Sequence, residues 1–198
     1  MKIYHFDIKK ADKTMLDEWF EQMSAERKQA VSQMKVTHKK NLSIAADALC
    51  RKAISDYCNV SPDEIEFEYN AKGKPFAKNL PLYFSKSHSG NLAVCAVSDC
   101  EIGIDVEKIR DINPRVSDRF ATDREKEYIK NSENGFFKIW TLKEAYFKCI
   151  GTGLGSDIKD VSFEINGENI LCSKDGYEFS FFDIDKEYIC SICKKNSA

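Results

Sequence analysis

The sequence predicts an α+β protein, a pseudodimer of two similar α+β halves, residues 1–101 and 102–198, with its site in the cleft between them. Three observations carry this. A helical pattern at residues 41–57 followed by a three-strand run is matched by a second helical pattern at residues 136–150 followed by another. The closing hairpins echo each other, Ala93-Val94-Cys95-Ala96-Val97 against Tyr188-Ile189-Cys190-Ser191-Ile192. At the junction, Ile102-Gly103-Ile104-Asp105-Val106-Glu107 alternates with the period of a half-buried strand, so elements of both halves can converge on it.

Taken in order, residues 3–8 read as a first strand and 14–23 as a short helix holding Trp19 and Phe20, after which Ser24 is a fresh N-cap. Residues 25–40 are basic, with Arg27, Lys28, Lys35, His38, Lys39 and Lys40, as in a solvated helix face or loop. Leu42, Ala45, Ala46, Leu49, Ala53, Ile54 and Tyr57 recur at three-and-four spacing, which makes 41–57 a helix lying on a sheet. Residues 65–69 alternate as a strand, Asn70 to Pro75 turns, and 82–85 and 92–97 are two strands joined by the turn Ser87-His88-Ser89-Gly90-Asn91. Beyond the central strand, Asn113-Pro114 breaks the chain, 115–120 is helical, and Thr122 caps a helix reaching Ile129. The 136–150 helix is apolar almost all round, so it should be buried, and Gly151 ends it. Residues 161–165, 177–182 and 188–193 should close an antiparallel sheet.

The 198 residues are 42% hydrophobic and 31% charged, enough apolar material for a sizeable core. A net charge of -2 and a pI near 6.0 exclude nucleic acid as the main partner, since phosphate backbones demand a basic excess. Six cysteines sit singly in apolar or periodic segments, as buried free thiols do, and Cys190 and Cys193 have redox-motif spacing but lie in a strand rather than at a helix start. Acid at Asp7 comes too early for a signal peptide, and no apolar run reaches bilayer length. The expectation is a reduced, cytoplasmic protein with no membrane partner, and a monomer, because an internally duplicated chain has less need to assemble.

Asp105 and Glu107 share one strand face, about 6.5 to 7 Å apart along the chain, so both can reach one cation. Glu144 lies four residues after Trp140 and four before Lys148, on one side of the buried helix. Three carboxylates brought together repel unless a cation sits among them, and oxygen-only ligands favour Mg2+. Taken singly, Asp105 and Glu107 also read as surface acids, and Glu144 with Lys148 as an ordinary helical pair. Ser87-His88-Ser89-Gly90 offers hydroxyls, an imidazole and backbone N–H groups to phosphate oxygens. Gly73-Lys74-Pro75 adds a cation on a stiff turn, and the Gly151 to Gly155 loop has neither a dinucleotide fingerprint nor a P-loop.

In sequence order, Gly73-Lys74-Pro75, then Phe84-Ser85-Lys86-Ser87-His88-Ser89, then Gly103-Ile104-Asp105-Val106-Glu107, then Trp140-Thr141-Leu142-Lys143-Glu144-Ala145-Tyr146-Phe147-Lys148, resembles the 4'-phosphopantetheinyl transferases of the Sfp type. The resemblance implies that family's fold of two fused halves. It also implies transfer of the phosphopantetheine arm of coenzyme A to a serine of an apo acyl or peptidyl carrier protein, with release of adenosine 3',5'-bisphosphate. By motif, Asp105, Glu107 and Glu144 resemble ligands of Mg2+, for which Mn2+ can substitute. Asp105, Glu144 and Lys148 are then the catalytic set, with Glu144 as base for the carrier serine, directly or through a water relay. Lys148 and Lys143 would steady the diphosphate, Ser87 and His88 resemble coenzyme phosphate contacts, Arg27 aligns with a basic residue near the 3'-phosphate, and Ser43 and Lys74 are nucleotide contacts.

Two positions depart from the pattern. Ala30 stands where relatives often carry a second basic residue, so Lys28 or Lys35 should substitute, and Lys86 takes a usually apolar place, where an edge-strand lysine would hold its head in solvent. The carrier's acidic helix is expected near Phe120 and Arg124-Glu125-Lys126. Carboxylates, cations and a phosphate turn would also serve a Mg2+-dependent pyrophosphohydrolase, and a carrier-binding module without turnover would keep the same fold.

Overall fold

Two three-stranded antiparallel sheets, each backed by a long helix, are wired in the same order in this computed structural model, which describes residues 1–155 and 157–196. Ser197 and Ala198, counted above in the second half, lie outside the described residues. The chain opens with β1 (Lys2–Asp7), α1 (Lys13–Glu21), α2 (Ala25–Ser32) and α3 (Thr37–Cys58), then the hairpin β2 (Phe67–Tyr69) and β3 (Pro75–Ala77), then β4 (Tyr83–Ser89) and β5 (Leu92–Ser98). It continues with β6 (Ile102–Lys108), α4 (Asp123–Asn131), α5 (Gly135–Ile150), the hairpin β7 (Phe163–Asn166) and β8 (Asn169–Cys172), then β9 (Tyr177–Phe181) and β10 (Tyr188–Lys195). The sheets run β1-β5-β4 and β6-β10-β9, so β1 corresponds to β6, β4 to β9 and β5 to β10.

Local chemistry sets the ends of these elements. Asp12 and Ser24 accept the N–H of Met15 and Arg27 at 2.8 and 3.3 Å, capping α1 and α2. Thr122 and Glu125 form a reciprocal capping box on α4. α3 stops at Asn59 and α5 at Gly151, both left-handed, with φ of 55° and 72°.

β5 is buried on both faces. Ala93, Cys95 and Val97 pack against Leu42, Ala45, Leu49 and Ile54 of α3. Leu92, Val94 and Ala96 meet Ile102, Ile104 and Val106 of β6 and Ile192 of β10. That leaves Gly103, Asp105 and Glu107 on the other face of β6, as the alternation predicts, and this face receives α5. A Cβ at Gly103 would stand 1.9 Å from Ala145 O and 2.5 Å from Cys149 N, so glycine is what lets the helix backbone lie on the strand. The close contact brings Glu144 and Lys148 alongside Asp105.

The structure corrects two expected elements. Ser87, His88 and Ser89 are not a turn: β4 runs through Ser89, which pairs with Leu92, and Gly90 (φ 58°) with Asn91 makes the turn. In this edge strand the backbone groups of alternate residues are spent on the ladder with β5. Nor do 161–165, 177–182 and 188–193 form one sheet. β7 pairs with β8 around Gly167 (φ 63°), a strand the sequence reading missed, while β10 lies between β6 and β9. All eight cysteines are free thiols. Among the described residues no helix is long and apolar enough to cross a membrane.

Candidate active site

The face of β6 that meets α5 carries a buried polar network. Lys148 Nζ donates to Asp105 Oδ1 at 2.6 Å and to Ser87 Oγ at 2.9 Å, and Ser87 donates to the same Asp105 oxygen at 2.6 Å. Asp105 is 4% exposed, and its second oxygen, Oδ2, is buried with no hydrogen-bond partner among the described residues. Glu107, two residues on, accepts at Oε2 from Ser89 Oγ at 2.8 Å and from Arg110 Nη1 at 2.9 Å. Trp140, Glu144 and Lys148 form a half-buried stripe on the largely buried α5, and this stripe lines the cleft.

Electrostatics set this network apart. Burial pushes Asp105 above the ordinary carboxylate range, against the pull of Lys148. Glu144 is pushed up to about 7, first by burial and then by the charge of Asp105. A cavity of about 250 Å³, bordered by Gly73, Pro75, Phe84, Lys86, Glu144 and Lys148, opens on one side. A larger one of about 640 Å³, bordered by Lys35, His38, Lys39, His88, Ser89, Glu107 and Arg110, opens on the other. Among the described residues no three acid, histidine or cysteine side chains already stand as a ligand cluster, and Lys148 and Arg110 each bond one carboxylate oxygen of the site. The donor set nevertheless fits a hard divalent cation. It is oxygen only, the charges of Asp105 and Glu107 raise Glu144, and among the described residues Asp105 Oδ2 lacks the partner that a buried oxygen requires.

A second charged cluster lies on the opposite face of β4. Asp47 of α3, 3% exposed, pairs with Lys86 Nζ at 2.5 Å and with Arg27 Nε at 3.5 Å, while Arg27 Nη2 donates to Ser43 Oγ at 2.6 Å. His88 stands beside it. Loss of solvent around the ring, and then the cations of Lys148, Lys86 and Arg27, hold its pKa below the usual imidazole range.

Comparison with known proteins then decides the family. Residues 101–193 match the family model described as the 4'-phosphopantetheinyl transferase superfamily, and residues 10–100 match that of the 4'-phosphopantetheinyl transferase N-terminal region. The chain is 33% identical over 165 residues to the 4'-phosphopantetheinyl transferase gsp of Aneurinibacillus migulanus, covering 76% of this chain and 67% of that protein. This chain belongs to the 4'-phosphopantetheinyl transferase superfamily. Two further members are similar over more of their length. A 4'-phosphopantetheinyl transferase of Bacillus subtilis is 28% identical over 182 residues, 86% of this chain and 81% of the relative. The 4'-phosphopantetheinyl transferase psf-1 of Bacillus pumilus is 25% identical over 213 residues, 100% of this chain and 91% of the relative.

Against the roles that membership of this transferase superfamily suggested from sequence, the structure gathers Asp105, Glu107, Glu144, Lys148 and Ser87 at one place, and Arg27, Ser43 and His88 at the next. It corrects several readings of single residues. Lys143 does not face the cleft: its side chain is wholly buried, pairs with Glu125 at 3.0 Å and donates to the carbonyls of Ile158 and Val161. Ser87 and His88 share no concavity, because neighbours on a strand point to opposite faces, and Ser87 serves Asp105. Lys74 borders the smaller cavity, but its ammonium is turned to Cys149 O at 2.7 Å, at the C-terminal end of α5. Lys86 does not hold its head in solvent, since Asp47 draws it inward. Lys28, one of the two cations expected to replace the one missing at Ala30, is turned to Glu21 at 2.6 Å, while Lys35, the other, borders the larger cavity, and Phe120 is a 2% exposed core residue rather than a docking surface.

Several residues escaped the sequence reading. Asp47 had a legible signal, a lone acid in the apolar run from Leu42 to Cys50. Glu125 had one too, as the fourth member of the Thr122 capping box. Asn70 had none: its amide donates to Gly151 O at 2.9 Å while its oxygen accepts the N–H groups of Lys72 and Lys74, so the β2–β3 turn caps α5.

Proposed function

We propose that the chain transfers the 4'-phosphopantetheine arm of coenzyme A to a serine hydroxyl of a separate apo acyl or peptidyl carrier protein. The serine oxygen bonds to the phosphorus nearer the pantetheine, the bridging P–O bond of the diphosphate breaks, and adenosine 3',5'-bisphosphate leaves. The observation that carries this is the Asp105–Ser87–Lys148 network with its orphaned carboxylate oxygen, beside a glutamate poised near neutrality. Glu144 is the base for the serine proton, directly or through a water relay, and in the ion-free site it is pushed up to about 7. Lys148, whose side chain is 30% exposed, would face the diphosphate and the charge that leaves with the nucleotide.

Asp105, Glu107 and Glu144 would hold Mg2+, with Mn2+ as a substitute. When bound, the ion neutralises diphosphate charge and makes the phosphorus easier to attack. Arg27 and Lys86, with Ser43 and His88 beside them, form the cationic cluster suited to the coenzyme's remaining phosphate, and Lys35 is left to replace the cation missing at Ala30. In this reading residues 1–101 and 102–198 are the two halves, and the enzyme works as a cytoplasmic monomer. Arg124, whose side chain is 86% exposed, and Lys126 meet the acidic carrier. Unchanged carrier affinity in the Arg124→Ala, Lys126→Ala double variant would remove that last placement.

The deciding experiment incubates the protein with coenzyme A, Mg2+ and an apo carrier and follows the carrier by intact mass. Phosphopantetheine should add to the carrier serine, and Glu144→Gln should abolish the addition while the circular dichroism spectrum stays native. Hydrolysis of coenzyme A with an unmodified carrier would instead establish a pyrophosphohydrolase, and binding with neither product a module without turnover.

A further inference from the structure

β4 and β6 are edge strands of different sheets, and where they meet three serines of β4, two residues apart, reach across. Ser85 Oγ accepts the N–H of Ile104 at 3.1 Å. Ser87 serves Asp105 and Lys148, as described. Ser89 Oγ accepts the N–H of Lys108 at 3.1 Å and donates to Glu107 Oε2 at 2.8 Å. A hydroxyl has one hydrogen and two lone pairs. With Lys108 N–H occupying a lone pair, the hydrogen of Ser89 is aimed at the carboxylate, and the oxygen that gives it is itself fixed by the backbone of the strand carrying Glu107.

We propose that Ser89 is a positioning residue for Glu107: it anchors Oε2 so that the carboxylate meets a divalent cation without first having to be ordered. This rests on the reading that Glu107 helps to hold such an ion. Arg110 bonds the same oxygen, but as a cation it competes with the ion for the carboxylate charge, whereas the neutral serine orients without competing. Ser85 supplies an internal control. It accepts from the same strand in the same way, so its loss disturbs the β4–β6 seam equally, yet it touches no carboxylate.

The test titrates Mn2+ into the intact protein with coenzyme A present and no carrier, reading free Mn2+ by electron paramagnetic resonance against a protein-free blank. Ser89→Ala should bind the ion about 10-fold more weakly, the scale on which hydrogen-bond partners of metal ligands act. Ser89→Thr, which keeps the hydroxyl, should bind within about 2-fold of the parent, and Ser85→Ala should leave the ion's affinity unchanged while lowering the melting temperature as much as Ser89→Ala does. Equal ion affinity in Ser89→Ala and Ser85→Ala overturns the proposal alone, as does a Ser89→Thr variant as weak as Ser89→Ala. A parent protein that holds no Mn2+ even with coenzyme A overturns the metal reading of the site, and the role of Ser89 with it.

Discussion

Two lysines on α5, Lys143 and Lys148, each hold a buried carboxylate, and they differ in how completely the surroundings are satisfied. Lys143 Nζ spends its three donors on Glu125 and the carbonyls of Ile158 and Val161, while Glu125 also accepts from Thr122 N at 2.8 Å and Phe163 N at 3.1 Å. Nothing is left over. Lys148 holds Asp105 by one oxygen and leaves the other buried without a partner, with Glu144 and Glu107 close enough to add repulsion. A closed network specifies packing, whereas an open one stores unfavourable charge that a ligand can relieve. Both lysines belong to the same motif, so the difference lies in where the helix points each of them.

Breaking the closed pair should have the largest effect. Glu125→Ala should cost about 3–5 kcal/mol in urea unfolding, because it strands a buried ammonium. Lys148→Met leaves the buried Asp105 carboxylate with only Ser87 as partner and should cost less, about 1–3 kcal/mol, yet abolish carrier modification, and equal destabilisation by the two would erase the contrast. Gly103→Ala should come next, at about 2–3 kcal/mol, since its Cβ would collide with the backbone of α5. By shifting Glu144 and Lys148 off Asp105, it should also slow transfer about 100-fold, read in single-turnover assays.

Glu144 sharpens the comparison through pH. Its folded pKa of about 7 exceeds its usual 4.5, so between those values the metal-free folded protein holds a proton that the unfolded chain has lost. Stability therefore falls as pH rises from 4.5 to 7 and stays lower above. Glu144→Gln should remove that fall, gaining on the order of 2 kcal/mol at pH 8 in chelator. A variant melting with the parent's pH dependence would show that the carboxylate is not under this pressure. The smallest effect is expected from Asn70→Ala, about 1 kcal/mol from the lost cap on α5, measured by thermal unfolding.

The sequence made the faces of β6 legible because a strand's period of two assigns every side chain, and it made α5 legible because apolar residues all round it demand burial. That same all-round burial hid the direction of Lys143: a helix without a polar face gives no indication of which lysine meets the cleft. Ser87-His88-Ser89 misled because small polar residues read as a turn, whereas their hydroxyls are used across a seam between sheets that no local pattern encodes. Lys86 was read as an edge lysine because its partner, Asp47, lies far off in the chain on another element. The capping of α5 by Asn70 spans 81 residues and depends wholly on tertiary placement.

That cap reaches beyond stability. The helix bearing Glu144 has its last carbonyls, Cys149 O and Gly151 O, held by Lys74 and Asn70, which lie before the junction strand in the chain. Severed between β5 and β6, the polypeptide would yield one fragment with a frayed helix end and another whose turn has nothing to grip. The two units of like topology are thus not independent, and only their co-expression could restore a working centre.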